Sequence, residues 1–193
     1  MVAPVIVVSG PSGIGKSTVI ARLLEKSRRP MRLSISATTR QPRHGENDGV
    51  QYHFWTPEQF REGIRKDLFI EWATVHGRDY YGSLADEVLP YRSRGVGVIL
   101  EIDVQGAAQV RGKLPDVFSV FLHAPIETYE ARLRARGTES EEAIQRRLRT
   151  AQSEIPRMGE YDLTLVNDSL DETVERIRME AECRFPAIRQ ETT

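Results

Sequence analysis

Residues 10–17 read GPSGIGKS and match the pattern G-x-x-x-x-G-K-[ST]. Glycines at these spacings let the backbone wrap closely, so that successive N–H groups point at phosphate oxygens. A helix starting directly behind the loop adds the positive end of its dipole. In such a loop Gly10, Pro11, Ser12, Gly13, Ile14, Gly15 and Thr18 cradle the phosphates, Lys16 reaches the β- and γ-phosphates, and the Ser17 hydroxyl ligates Mg²⁺. The loop points to a nucleoside triphosphate, with ATP the first expectation, and leaves the acceptor open. A glycine-rich turn without a ligand is the competing reading. The flanking apolar run and helical pattern disfavour it, because the motif requires both.

A second cluster lies at 35–54, ISATTRQPRHGENDGVQYHF. It is too polar for a core element. Arg40 and Arg43 flank Gln41-Pro42, and proline biases the residue before it toward extended backbone. The two guanidinium groups can therefore converge on one small anion. Tyr52, and Tyr80 or Tyr81 in YYGS, would add hydroxyl donors, and forked guanidinium with phenol suits a monophosphate. The plainer reading is a pair of exposed turn arginines. Asp103 ends the run VILEID, a place for a carboxylate at the ligand edge of an open sheet. The plainer alternative is that it caps the helix that follows.

These residues need elements to hold them. The runs at 5–9, 96–103, 117–122 and 163–166 are nearly continuous in apolar residues, as in strands buried on both faces of a parallel sheet. Helical patterns lie between them, at 16–26, 84–94 (where Pro90 would bend or shorten the helix), 104–113, 126–136 and 170–184, the last with a capping box Ser169-x-x-Glu172. Alternating βα units imply a three-layer α/β fold. Two segments break the alternation. Residues 36–83 hold a YHFW strand, a helix opening on Thr56-Pro57 and a FIEWATV strand, a small mixed α/β insert. Residues 132–152 are dense in arginine and glutamate, with a capping box Thr138-x-x-Glu141; alone they read as a solvated, ion-paired helix.

The 193 residues suit one core domain with insertions, with 39% hydrophobic and 28% charged residues, and the net charge of −1 supplies no basic field for nucleic acid. One cysteine, Cys183, permits neither an internal disulfide nor a cysteine-based zinc site. The first ten residues read as a buried strand rather than a signal peptide, and no apolar run is long enough to span a membrane. A cytoplasmic protein is expected.

SGPSGIGKST, SISATTRQPRHGENDGVQYHF, FIEWATVHG, YYGS, EIDVQG, RLRARGTESEEAIQRRL and YDLTLVND occur in the order found in guanylate kinases, and the resemblance covers nearly the whole chain. Residues 36–54 are its most specific part. The resemblance implies transfer of the γ-phosphoryl group of ATP to GMP with Mg²⁺, giving ADP and GDP. It implies a P-loop core (1–35, 84–125 and 153–193), a GMP-binding insert (36–83) and a helical lid (126–152). Arg40, Arg43, Tyr52 and Tyr81 would grip the GMP phosphate. Ser36, Glu71, Ser83 and Asp103 would surround the guanine, and Arg132, Arg136 and Arg147 would approach the ATP phosphates. The implied catalytic set is Lys16 with Arg40, Arg43, Arg132, Arg136 and Arg147. dGMP is a further candidate substrate, and a homodimer is compatible with the family. In one departure, Arg78-Asp79 stands where the family usually has one residue, which leaves Tyr80 and Tyr81 both open as the phosphate-gripping tyrosine.

Two other readings compete. One is a catalytically silent guanylate-kinase-like module that binds proteins, which the intact Gly10, Gly15, Lys16 and Ser17 disfavour. The other is a P-loop kinase for a sugar phosphate, which would have no need of Glu71, Ser36 and Ser83 as readers of a guanine edge.

Overall fold

The computed structural model describes residues 3–75, 78–135 and 140–186. Five strands, β1 (Val5–Ser9), β2 (Met31–Leu33), β7 (Gly97–Glu101), β8 (Phe118–His123) and β9 (Leu163–Val166), form a wholly parallel sheet in the order β2-β7-β1-β8-β9. The central strand shows why its sequence is apolar without alternation. Ile6 and Val8 enter one core cluster, with Ile20, Leu23, Phe118 and Ile177, while Val5 and Val7 enter another, with Val98, Leu100, Ala107 and Val110. Side chains of a strand alternate between faces, so a strand covered on both must be apolar at every position. Helices α1 (Lys16–Lys26) and α7 (Leu170–Arg184) cover the first face and α4 (Val104–Lys113) the second. The fold is mixed α/β with a central parallel sheet, as the alternating pattern predicts.

A second, four-stranded sheet holds β3 (Ser36–Thr38), β4 (His53–Phe54), β5 (Phe69–Val75) and β6 (Asp79–Leu84) in the order β4-β3-β6-β5. Helix α2 (Pro57–Arg65) packs on it through Phe60, which stacks on Phe69 at 4.4 Å and Tyr80 at 5.2 Å. Thr56 caps α2 as its sequence suggests: its hydroxyl accepts from the Gln59 amide and the Gln59 side chain accepts from the Thr56 amide, a complete capping box. The edge strand β5 is fastened to α4. Gln109 exchanges two hydrogen bonds with the Trp72 backbone (2.7 and 3.2 Å), and Lys113 Nζ donates to the Phe69 carbonyl. These contacts occupy a strand edge that would otherwise be open to pairing.

Several expectations change. The helix expected over 84–94 is a short 3-10 turn, Ala85–Glu87, then α3 (Leu89–Ser93), with Pro90 in the first turn, where its missing N–H costs nothing. The strand expected to 103 ends at Glu101, because Asp103 caps α4 by accepting from the Gln105 and Gly106 amides. Strand β2 was not foreseen; three residues carry no readable period. The Ser169–Glu172 capping box does not form, since the Asp168 carboxylate already accepts the Ser169 amide that Glu172 would have served. Helix α5 (Ile126–Ala135) is followed by α6 (Glu141–Glu154), capped by Ser140; Thr138 and Arg136 lie outside the described residues. Among the described residues no helix is long and apolar enough to cross a membrane.

Candidate active site

The loop between β1 and α1 turns through Gly10, Gly13 and Gly15, all at positive φ, a region that disfavours other residues. At Gly10 the constraint is also spatial, since a Cβ would stand 2.1 Å from the Leu122 carbonyl oxygen. Ile14 points its side chain into the core and leaves its backbone to the loop. Pro11 is buried, whereas Ser12, Ser17 and Thr18 lie at the surface side of the loop. Lys16 Nζ reaches back across the loop to the carbonyls of Gly10 (2.7 Å) and Pro11 (3.3 Å). Ser17 Oγ donates to Glu101 Oε1 at 2.9 Å. Sequence reading took Asp103 as the acid at the strand end; the acid beside the loop serine is Glu101, two residues earlier.

Arginines close on this loop from α5 and α6. Arg132 donates to the carbonyls of Ile14 (3.2 Å) and Asn167 (2.8 Å), and Arg147 donates to Ser12 Oγ (3.0 Å). Asn167, buried, donates from Nδ2 to the same Ile14 carbonyl at 2.7 Å. It was not singled out from sequence; its only signal was the segment YDLTLVND. With Asp168, Arg132 and Thr18 it lines an open recess beside the loop. Arg136 lies outside the described residues.

The second sheet gathers the other candidates. Arg40 Nε donates to Tyr81 Oη at 3.2 Å, and its two terminal nitrogens make a fork on the Glu46 carboxylate at 2.9 and 3.0 Å. The Arg43 amide donates to the same carboxylate at 2.7 Å, and these partners hold the Glu46 carboxyl below its usual range. Glu46 was not predicted, and it occupies the guanidinium fork that Arg40 would otherwise offer to an anion. Arg43 itself is exposed at the loop surface. Tyr52 meets Tyr81 edge to face at 5.8 Å, with the Arg40 guanidinium 5.5 Å from the Tyr52 ring. Burial raises the Tyr52 hydroxyl above its usual range, and the nearby charge of Glu101 adds to the rise. Tyr81, not Tyr80, thus stands with Arg40, because β6 turns Tyr80 to the opposite face against Phe60.

Glu71 is 4% exposed. A bulge between Phe69 and Glu71 breaks the alternation of β5. Phe69 and Ile70 are both buried, one in the small core of the second sheet and the other in the main core, and Glu71 is buried after them. It pairs with Ser83, whose amide and hydroxyl both donate to Glu71 Oε1 at 2.9 and 2.7 Å. Ser36 sits opposite Ser83 on β3. Burial pushes the Glu71 carboxyl up to about 7, with the negative charge of Asp103 adding to the rise and the Ser83 hydrogen bonds opposing it. A buried carboxylate with one oxygen committed to a serine is suited to accept from a paired donor edge.

The guanylate kinase family model matches residues 3–182. The chain belongs to the guanylate kinase family. A guanylate kinase from Prochlorococcus marinus strain MIT 9312 is 47% identical over 173 residues, covering 89% of this chain and 93% of that protein. One from Caldanaerobacter subterraneus subsp. tengcongensis is 45% identical over 174 residues, 90% of this chain and 84% of its own. The crystal structure of guanylate kinase from Anaplasma phagocytophilum superposes with a TM-score of 0.77 at 31% identity, covering 96% of this chain and 88% of that one. In this family member one acid connects the loop at 10–18 with the sheet that gathers Arg40, Tyr52, Tyr81 and Glu71. Glu101 links them, hydrogen-bonded to Ser17 and felt electrostatically by Tyr52.

Proposed function

We propose that the protein transfers the γ-phosphoryl group of ATP to GMP, with the loop at 10–18 holding ATP and residues 36–83 holding GMP. The observation that carries the acceptor assignment is Glu71: a buried acid whose Oε1 is fixed by Ser83 while Oε2 makes no hydrogen bond among the described residues. Guanine presents N1–H and an amino group side by side, and adenine has no such donor pair. Ser36, Ser83 and Asp103 complete the base site. Arg40, Arg43, Tyr52 and Tyr81 hold the GMP phosphate, which displaces Glu46 from the Arg40 fork. None of the base-reading groups is assigned to the sugar, so dGMP is a second acceptor. The recess lined by Thr18, Arg132, Asn167 and Asp168 is the seat for the adenosine end of ATP.

An oxygen of the GMP phosphate attacks the γ-phosphorus in line. The bond to the β,γ-bridging oxygen breaks and ADP leaves. The attacking oxygen is already anionic, so no general base is required; alignment and charge neutralisation suffice. Lys16 supplies charge at the β/γ-phosphates, Arg132, Arg136 and Arg147 come from residues 126–152 acting as a lid, and Arg40 and Arg43 from the acceptor side. The Ser17 hydroxyl and the Glu101 carboxylate are hard oxygen donors at the loop and fit Mg²⁺, which would neutralise phosphate charge there. Closure of lid and insert excludes water and so prevents hydrolysis of ATP. The reaction belongs in the cytoplasm, where both nucleotides are pooled. A coupled assay of ADP release with GMP, dGMP, AMP and ribose 5-phosphate tests the proposal. GMP and dGMP should be turned over, with AMP lower in kcat/KM by about 100-fold or more. Equal turnover of AMP or of the sugar phosphate would overturn the assignment.

A further inference from the structure

Gly106 is the third residue of α4, and its backbone needs no glycine. It is not among the residues at positive φ, and its amide donates to Asp103 Oδ1 at 2.8 Å as in an ordinary capped first turn. Inside a helix glycine is less favourable than alanine, so local propensity argues for a side chain. The surroundings argue against one. A Cβ on Gly106 would lie 2.5 Å from Glu71 Oε2 and 3.0 Å from Glu71 Cδ. Glu71 cannot swing aside without cost, because it is buried and its other oxygen holds both donors of Ser83. Gly112, in the last turn of the same helix, would set its Cβ in open space, so α4 carries one glycine with a spatial reason and one without.

We infer that Gly106 is a specificity-determining position: its missing side chain seats the Glu71 carboxylate, leaving Oε2 where it meets the donor edge of guanine. This rests on the reading of Glu71 as the base reader. A methyl group at 106 drives Oε2 from its seat while the Ser83 bonds hold Oε1, which tilts the carboxylate away from a planar, two-donor partner. Gly106 is a positioning residue, acting on substrate through Glu71.

The test uses the full chain with Gly106→Ala, Glu71→Gln, Glu71→Asp, the pair Gly106→Ala/Glu71→Asp, and Gly112→Ala as the control. Gly106→Ala should raise KM for GMP about 10-fold or more, with a smaller change in kcat, while ATP binding stays within about twofold. Its thermal midpoint should fall only slightly, because the gain in helix propensity offsets part of the cost of displacing Glu71, and Gly112→Ala should match the parent in every kinetic constant. The carboxylate of Glu71→Asp sits on a shorter stem and withdraws from the added methyl, so the double variant should lose less in kcat/KM for GMP than the product of the two single losses. A GMP KM within about twofold of the parent in Gly106→Ala overturns the inference. Loss of ATP binding, or of thermal stability in parallel with activity, overturns it too by showing that Gly106 serves packing alone. Unchanged GMP kinetics in Glu71→Gln would sink the reading of Glu71 itself. A response to Glu71→Gln with none to Gly106→Ala would sink only the role of Gly106.

Discussion

The two halves of the proposed site, one for ATP and one for GMP, are built in different ways. On the ATP side, residues 10–18 are consecutive, and much of their chemistry is main chain: amides, carbonyls and the start of α1, with glycines at positive φ where the loop must turn. On the GMP side, Glu71, Ser83, Ser36, Arg40 and Tyr81 come from three strands and a loop, and hydrogen bonds between side chains set the positions of Glu71 and Arg40. A main-chain site is robust to most substitutions but depends on its few charged groups. A side-chain site can be altered one contact at a time, and in the proposed reading this is where selectivity for the base is set.

That contrast predicts the largest loss on the ATP side. Lys16→Ala removes the one lysine of the loop, whose charge in the proposed mechanism serves the transferring phosphoryl group. Turnover should fall by about three orders of magnitude or more, with the thermal midpoint little changed. Steady-state rates and thermal unfolding of the same preparation check this, and near-parental turnover would break the assignment of the loop.

Glu71→Gln should do something narrower. It keeps the size but replaces an acceptor oxygen with a donor that faces a donor on guanine. The mismatch should cost roughly 2–4 kcal/mol, or about 30- to 1000-fold in kcat/KM for GMP, and leave ATP affinity alone. An equal loss of ATP affinity would erase the distinction between the halves.

Titration sharpens the same point. With its carboxyl pushed up to about 7, Glu71 binds a proton in the folded protein over a range where the unfolded chain, near 4.5, has lost it. Stability should therefore fall as pH rises from about 4.5 through 7, the reverse of a carboxylate stabilised by a cation. GMP needs the ionised form, so kcat/KM for GMP should fall as pH drops below about 7, beyond what ionisation of the GMP phosphate explains. Comparing the pH profiles of the parent and Glu71→Gln isolates that component. Coincident profiles would show that Glu71 does not titrate against GMP.

Legibility in the sequence follows the same division. Val5–Ser9, Lys16–Lys26 and the Thr56 cap were readable because local signals decide them: an apolar run, a phosphate-loop motif and a capping box. That Arg40, Tyr52 and Tyr81 could come together was readable from residue type, and the structure does gather them. What escaped depends on partners distant in the chain. Glu101 looked like one more residue of an apolar strand until Ser17, 84 positions away, was placed against it. Glu46 looked like a turn acid, yet it holds the Arg40 fork. By residue type the glutamate of FIEWATV would face solvent, and its burial is explained only by partners the sequence does not show, since the bulge after Phe69 sets it opposite Ser83. The choice between Tyr80 and Tyr81 needed the register of β6 on β5, because a one-residue slip exchanges the faces.

The smallest effect should come from the scaffold behind the GMP site. Helix α2 meets the second sheet through the aromatic stack of Phe60 on Phe69 and Tyr80, on the face away from Tyr81. Thr56→Ala removes the hydroxyl that accepts from the Gln59 amide and dismantles the capping box from one side. Losing an N-cap of this type costs about 1 kcal/mol. For a chain of this size that corresponds to a drop of roughly 2–4 °C in thermal midpoint. Tyr81, Glu71 and Ser83 sit on strands whose pairing does not involve the cap, so kcat/KM for GMP should stay within about twofold of the parent at about 25 °C. Thermal unfolding and GMP kinetics on one preparation decide the matter. A severalfold kinetic loss with an unmoved midpoint would mean that α2 shapes the acceptor site directly, and the line between scaffold and reader would have to be redrawn through the aromatic stack.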